Sequence, residues 1–523
     1  MTVTDRGLKM FENMTLKEKI YQTIVADNHT MKINGGPKSF FEKYPVGGIY
    51  FANYYAQDLG ALMAEEALSG EDFIKKCREY SKVPLLVCAD DALINNGLNM
   101  SLGGAAACED EEVYFKYGEM RGIEMNHHDI DWILAPCIDL NLARHDHTSL
   151  MVTDDEKFCA KFFSQIVKGI QSRGVIATVK HFPGQGSYNV NFHYAPGKNT
   201  LDFDTWMKTY GYTYKEMFKA GCMSVMTSHI VFPDFCYESE DGYPPICTFS
   251  KKMTIDLLKG TLGFEGAVVT DALTMGGMSC GNTARESAQA FKCGADLLLW
   301  APVETADIIE EMILSGEIPM SRLDDALSRI AKLREFVNAN KMKAPENAGE
   351  TVDEFAKRTY ELGPELLKNR NGALPLKKED KILVIANGFN QGQLDAVKEF
   401  SDILSERGYD VTFREYLLTC YQDEINAIID GYDKILIVLN HPMPVIETNY
   451  SSTTWASHLV DKARKVIVNF SNPFLAEDFY PDEPCVVNTN TKINKESARA
   501  VIDKLVGEKE FTGKAHITMK YIR

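Results

Sequence analysis

The sequence predicts an α/β protein: a (β/α)8 barrel followed by a smaller αβα sandwich. Three observations carry this. Short β-branched runs alternate with helical stretches through much of the 523-residue chain, and such alternation implies a parallel sheet with helical crossovers. Polar residues gather directly after those runs, where a barrel presents its chemistry at the carboxyl rim. A second, smaller alternation follows a polar stretch with Pro and Gly at 342–351, which reads as a linker. An open doubly wound sheet is the structural alternative for the first part.

The elements follow in order. Thr15 and Glu18 have capping-box spacing, so a helix starts there. Residues 46–51, opened by Pro45, form a first strand, and a helical stretch runs through Cys77 and Tyr80. Pro84 opens Leu-Leu-Val-Cys-Ala, ended by Asp90 and Asp91. A helix over 111–125 precedes a short apolar strand, 132–135, then Pro136 and Asp139. A helix over 155–173 leads into the central strand, 175–179, whose end carries Lys180 and His181. Pro183, Gly184 and Gly186 break regular structure there. A polar loop with Asn189, Asn191 and His193 follows. Strand 224–227 ends at Ser228 and His229; Ser250 reads as the N-cap of helix 251–262. Strand 266–270 ends at Asp271, and helix 284–293, strand 296–300 and helix 304–314 continue the pattern.

The expected boundaries are a barrel over 1–341, a linker and bridging helix over 342–366, and a sandwich over 367–523. The bridging helix reads as 352–368. The sandwich has strands at 381–386, 434–439, 465–470 and 485–488, and helices at 393–407 and 495–505.

Composition narrows the function classes. Hydrophobic residues make up 45% and charged residues 25%, as in a globular chain. The net charge of -18 argues against nucleic acid or an anionic membrane as partner. No run reaches transmembrane length and no apolar leader opens the chain, so a cytoplasmic location is expected. The 12 Cys form no C-x-x-C pair, and Cys88, Cys137 and Cys222 lie in apolar runs. They read as reduced, buried thiols, and a zinc site lacks its usual ligand spacing. Neither a cofactor nor a metal is expected, and the oligomeric state is not legible.

The rim candidates are Asp90, Asp139, Lys180, His181, His193, His229 and Asp271. No Ser sits in a G-x-S-x-G elbow. Gly184-Gln-Gly186 lacks the length and the Lys of a phosphate-binding loop. Glycoside cleavage needs one group that attacks or stabilises the anomeric carbon and another that protonates the leaving oxygen. Asp271 suits the first task and His193 the second.

The motif Lys180-His-Phe-Pro-Gly-x-Gly, with a His further along, resembles the catalytic loop of glycoside hydrolase family 3, in its β-N-acetylglucosaminidase branch. Met14-Thr-Leu-Lys-Glu-Lys-Ile resembles that family's first helix, and Pro84-Leu-Leu-Val-Cys-Ala-Asp90 its strand delivering a sugar-binding Asp. Ala135-Pro-Cys-Ile-Asp139 and Met226-Thr-Ser-His229 resemble further strand ends. Val268-Val-Thr-Asp271-Ala-Leu-Thr-Met275 resembles the nucleophile segment. Leu374-Pro-Leu376, Phe470-Ser-Asn-Pro473 and Phe511-Thr-Gly-Lys514 resemble parts of the second domain.

The resemblance implies a retaining hydrolase with a covalent glycosyl-enzyme intermediate. Asp271 would be the nucleophile and His193 the general acid/base. Asp90, Lys180 and His181 would bind sugar hydroxyls, with His229 and Met275 in the same substrate-binding set. The branch places an Asp two residues before its catalytic His; here that position is Asn191. It has His where this chain has Gln185, and Gln-Glu-Gly-Gly where this chain has Asp91 to Ile94. The family's Arg after the third strand has no clear match; Leu150 or Met151 falls near that place. Glu447, after strand 434–439, is an alternative acid. Three readings follow: a glycosidase on β-linked sugars, foremost N-acetylglucosaminides; a weakened homologue that binds a sugar or cell-wall fragment; and a phosphorylase on the same fold.

Overall fold

The computed structural model describes residues 9–51, 70–90, 100–143, 151–188, 193, 195–237, 244–278, 283–341, 349–388, 390–419, 421–441, 452–470 and 473–519. The chain forms two compact units. The first comprises 1–96, 114–143 and 156–349; the second comprises 97–113, 144–155 and 350–523.

The first unit is a nearly closed parallel barrel. Its strands are β1 (Ile24–Ala26), β2 (Gly48–Tyr50), β3 (Leu86–Ala89), β4 (Trp132–Ile133), β5 (Ile176–Phe182), β6 (Ser224–Thr227), β7 (Ala267–Thr270) and β8 (Leu298–Leu299). The sheet runs β8-β1-β2-β3-β4-β5-β6-β7. A parallel bridge from Val269 to Leu297 links its two ends. These strands are buried on both faces, which is why they read as continuous apolar runs rather than alternating ones. Helices such as Glu156–Ser172, Thr305–Leu314 and Met320–Asn340 accompany them.

Local chemistry explains the boundaries. Thr15 and Glu18 form a full capping box on helix Leu16–Tyr21. Ser250 Oγ accepts from the Met253 N–H, 3.2 Å, at the start of helix Lys252–Thr261. That helix ends with an i to i+5 bond, Leu262 N–H to Leu257 O, 2.8 Å.

The second unit holds a six-stranded sheet: β9 (Glu365–Asn369), β10 (Lys381–Asn387), β11 (Asp410–Arg414), β12 (Lys434–Leu439), β13 (Lys465–Asn469) and β14 (Cys485–Asn488). Its order is β9-β14-β13-β12-β10-β11, with β9 antiparallel and the others parallel. Apolar clusters cover both faces, one under helices Gln391–Glu406 and Lys495–Leu505 and the other beside Gln422–Ile429. The early run Ser101 to Ala107 belongs to this unit. Its Gly104 has no room for a side chain, since a Cβ there would sit 2.1 Å from the Thr359 carbonyl oxygen.

One element differs from the sequence reading. The helix expected over 352–368 is Val352–Leu362, and Glu365–Asn369 is an edge strand on β14. Pro364 lacks the amide proton a helix needs and disfavours helical geometry in Gly363, so the helix stops. Leu366, Leu367 and Lys368 are good helix formers, but the sheet edge overrides that preference.

Candidate active site

Successive strands bring polar side chains to the carboxyl end of the barrel. Asp90 follows β3, Lys180 and His181 sit in the last turn of β5, Ser228 and His229 follow β6, and Asp271 follows β7. Asp139 comes from the loop after β4. That loop pairs with β5, since Cys137 bridges Lys180 and the Ile138 N–H donates to the Lys180 carbonyl, 2.9 Å. The register of β5 against β6 shifts between Val179 and Phe182, which re-aims the Lys180-His181 pair.

Lys180 is buried, and its Nζ lies 2.9 Å from Asp90 Oδ1. Burial works against its ammonium, but the charge and hydrogen bond of Asp90, helped by Asp271, keep its pKa above the ordinary lysine value. Lys180 is therefore a fixed positive charge in this end of the barrel.

His181 is held from behind. Its Nδ1 is 2.7 Å from Asp139 Oδ2, and its own backbone N–H donates to the same oxygen at 3.2 Å. The Gln185 N–H donates to Asp139 Oδ1, 2.7 Å. Burial pushes the Asp139 carboxyl up, but the His181 contact and the Gln185 amide bring it below the usual range. A carboxylate accepts only, so His181 carries its proton on Nδ1. The neutral ring then presents the Nε2 lone pair, 4.0 Å from Asp271 Oδ2. Cys137 Sγ lies 3.4 Å from Asp139 Oδ2; burial, then the Asp139 charge, push the thiol well up, so it donates to that oxygen.

Asp271 is 9% exposed. Its N–H donates to the Thr227 carbonyl, 3.1 Å, which locks its backbone to β6. Oδ1 accepts the Ala272 N–H at 2.8 Å. Oδ2 accepts no hydrogen bond among the described residues. One carboxylate oxygen is thus anchored while the other keeps its lone pairs.

His229 is fully buried, and both ring nitrogens are engaged: Nε2 with the Ala272 carbonyl, 3.0 Å, and Nδ1 with Thr248 Oγ1, 3.0 Å. Burial lowers its pKa, outweighing Asp271 and Ala272, which raise it. The neutral ring must donate from Nε2 to the carbonyl, so Thr248 donates to Nδ1. Met275 lies half-buried in the turn after Asp271, with its N–H on the Ala272 carbonyl, 3.2 Å. His193 is exposed, and its carbonyl accepts the Gly276 N–H at 3.0 Å. The loop carrying His193 is thereby tied to the turn that follows Asp271. Asn191 and Glu447 lie outside the described residues.

The structure brings Asp90 to Lys180, and His181 to Asp139 and Asp271. Sequence reasoning placed Asp139 on the rim without its task of anchoring His181. It also missed Gln185, whose side-chain Nε2 donates to Ser228 Oγ, 2.9 Å, and Tyr210, whose hydroxyl donates to the Gln185 carbonyl and accepts the Leu140 N–H at 3.2 Å. A buried Tyr distant in sequence carries no signal of such a task.

Described helices include none long and apolar enough to cross a membrane. Residues 15–333 match the model of the glycosyl hydrolase family 3 N terminal domain. A beta-N-acetylglucosaminidase/beta-glucosidase from Cellulomonas fimi is 26% identical over 402 residues, 70% of this chain and 68% of that one. A beta-hexosaminidase from Tolumonas auensis is 26% identical over 265 residues, 49% of this chain and 75% of that one. Among solved structures, a beta-glucoside phosphorylase superposes with a TM-score of 0.83 at 21% identity, covering 99% of this chain and 96% of the other. A family 3 beta-N-acetylglucosaminidase from Paenibacillus superposes with a TM-score of 0.77 at 23% identity, covering 97% and 99%. These structural likenesses describe the two-domain fold. The family model spans more than half of the sequence, and the protein belongs to glycosyl hydrolase family 3.

Proposed function

We propose that this protein cleaves terminal β-linked sugars, with N-acetylglucosaminides as the leading substrate class, through a covalent intermediate on Asp271. The observation that carries this reading is the asymmetry of Asp271, with Oδ1 anchored on Ala272 and Oδ2 unengaged. A nucleophilic carboxylate needs that combination: fixed geometry and one free lone pair. The names of the relatives from Cellulomonas fimi and Tolumonas auensis support the substrate class.

In the first step Oδ2 bonds to the anomeric carbon as the bond to the leaving oxygen breaks, and His193 gives that oxygen its proton. In the second step water attacks the anomeric carbon, returns a proton to His193 and frees Asp271. Lys180, Asp90 and His181 hold sugar hydroxyls: the ammonium donates, the carboxylate accepts, and the Nε2 lone pair of His181 accepts. His229 fixes Ala272 and so the anchor of Asp271. Met275 covers the apolar side of the sugar.

A second reading is favoured by Asn191. With an Asn in place of a carboxylate, the His193 loop puts no negative charge beside an incoming phosphate. Phosphate would then replace water in the second step, giving a sugar 1-phosphate. Aryl β-glycosides incubated with and without phosphate separate the readings. Free sugar at equal rates in both is hydrolysis, sugar 1-phosphate is phosphorolysis, and no turnover with retained sugar binding overturns both in favour of a binding protein.

A further inference from the structure

We infer that Cys137, Asp139 and His181 form a site for a thiophilic divalent cation of the zinc class, and that its occupancy shuts the sugar pocket. One atom from each residue lies within 4.8 Å of the other two. All three residues are buried. Sulfur, imidazole nitrogen and carboxylate oxygen are the donor set that zinc and cadmium select over magnesium or calcium.

The geometry is near what a tetrahedral ion asks. With zinc–ligand bonds of about 2.0–2.3 Å, neighbouring ligand atoms stand about 3.3–3.6 Å apart. Cys137 Sγ and Asp139 Oδ2 are 3.4 Å apart. His181 Nδ1 and Asp139 Oδ2, at 2.7 Å, have to open, because the ion takes the place of the proton between them. The charges balance as well. A thiolate and a carboxylate cancel a divalent cation, so the filled site is neutral, as a buried site requires. The nearest fixed positive charge, Lys180, is already paired with Asp90 at 2.9 Å.

Binding is an exchange of protons for the ion. The thiol proton leaves to solvent as the metal–sulfur bond forms. The Nδ1 proton leaves that nitrogen as the metal–nitrogen bond forms, and the neutral ring takes a proton on Nε2. Net, one proton is released. The nitrogen that faces Asp271 changes from acceptor to donor, so a sugar hydroxyl that donates to His181 loses its partner. This consequence rests on the assignment of His181 as a sugar ligand; the binding itself does not.

The test uses the full chain freed of metal by EDTA, with zinc chloride and cadmium chloride as probes and Cys137→Val as the variant. Cadmium should give the wild type a thiolate charge-transfer band in the ultraviolet that is weaker in Cys137→Val by one thiolate. Micromolar zinc should inhibit cleavage of an aryl β-glycoside by the wild type, EDTA should reverse it, and the variant should need at least about tenfold more zinc. Cys137→Ser is the second variant if the first does not fold. Equal cadmium bands in wild type and variant overturn the site, whether or not the protein cleaves the glycoside. A cadmium difference without zinc inhibition of an active enzyme overturns the pocket-closing half.

Discussion

The Gly276 N–H donates to the His193 carbonyl oxygen across 3.0 Å. That bond ties two segments that are distant in sequence, the loop after β5 and the turn after β7. It keeps the imidazole of the proposed acid/base on the same side of the barrel as Asp271. A proton donor must stand within hydrogen-bond reach of the leaving oxygen, so a loop that carries it needs such a tether. Replacing Gly276 by Pro removes the donor. The expected result is a fall in kcat of about tenfold or more on natural disaccharides and a smaller one on activated aryl glycosides, with Gly276→Ala close to wild type. Equal losses on both substrate types would assign the bond a purely structural part.

Asn191 gives a second expectation. An Asn can hold an imidazole but cannot stabilise imidazolium by charge. In serine proteases the corresponding Asp to Asn change lowers kcat by about 10⁴. Asn191→Asp should therefore raise turnover on substrates with poor leaving groups and leave aryl glycosides little changed. A rate series across leaving-group pKa measures this, and Glu447→Gln is the control. A large loss in the control moves the acid to the second unit. A loss on every substrate in Asn191→Asp would mean the loop is built around the Asn.

Asp139 is buried and accepts hydrogen bonds from His181 and from the Gln185 amide. Asp139→Asn leaves those donors against a side chain that itself donates, at a cost of about 3 kcal/mol. Because its folded pKa is depressed, the stability it supplies is present above about pH 4 and is lost as pH falls through the folded value. Urea unfolding at neutral pH should show the difference, and the gap between wild type and variant should shrink in acid. A gap that is constant down to the lowest pH reached would contradict the assignment.

His441 in the second unit supplies a separate pH effect. Burial pushes its pKa down to about 4, and its Nε2 is 2.9 Å from Asn387 Oδ1. The unfolded chain takes up the proton below about pH 6.5 while the folded chain does not. Stability should thus fall by about 3 kcal/mol between about pH 6.5 and 4 and then level off. His441→Gln removes that slope, as read from Tm against pH. An unchanged slope in the variant would place the titration elsewhere.

How much was legible follows element by element. The strands β5, β6 and β7 announce themselves as apolar, β-branched runs because parallel strands bury both faces. Their terminal residues Lys180, His181, His229 and Asp271 were legible by position alone. β1 was not, since Ile24–Ala26 is three residues long and follows directly on helix Leu16–Tyr21, whose apolar face it continues. The edge strand β11 (Asp410–Arg414) was not either, being half-covered and rich in charge. β9 was taken for helix because its residues favour helix and only the sheet edge decides otherwise. The pairing of Asp139 with His181 was hidden for a different reason. It joins two loops across the barrel top, and sequence spacing records no contact between loops. His229 reads from sequence as a rim group, but only the fold shows its ring spent on Thr248 and Ala272.

The central claim is that Asp271 attacks the anomeric carbon. A 2-deoxy-2-fluoro β-glycoside with a good leaving group forms the glycosyl-enzyme quickly and releases it slowly, so the intermediate accumulates. Peptide mass mapping of the trapped protein should place the sugar on Asp271, with loss of activity in step with labelling and no labelling of Asp271→Asn. An adduct on another carboxylate, or a labelled Asp271→Asn, would contradict the account.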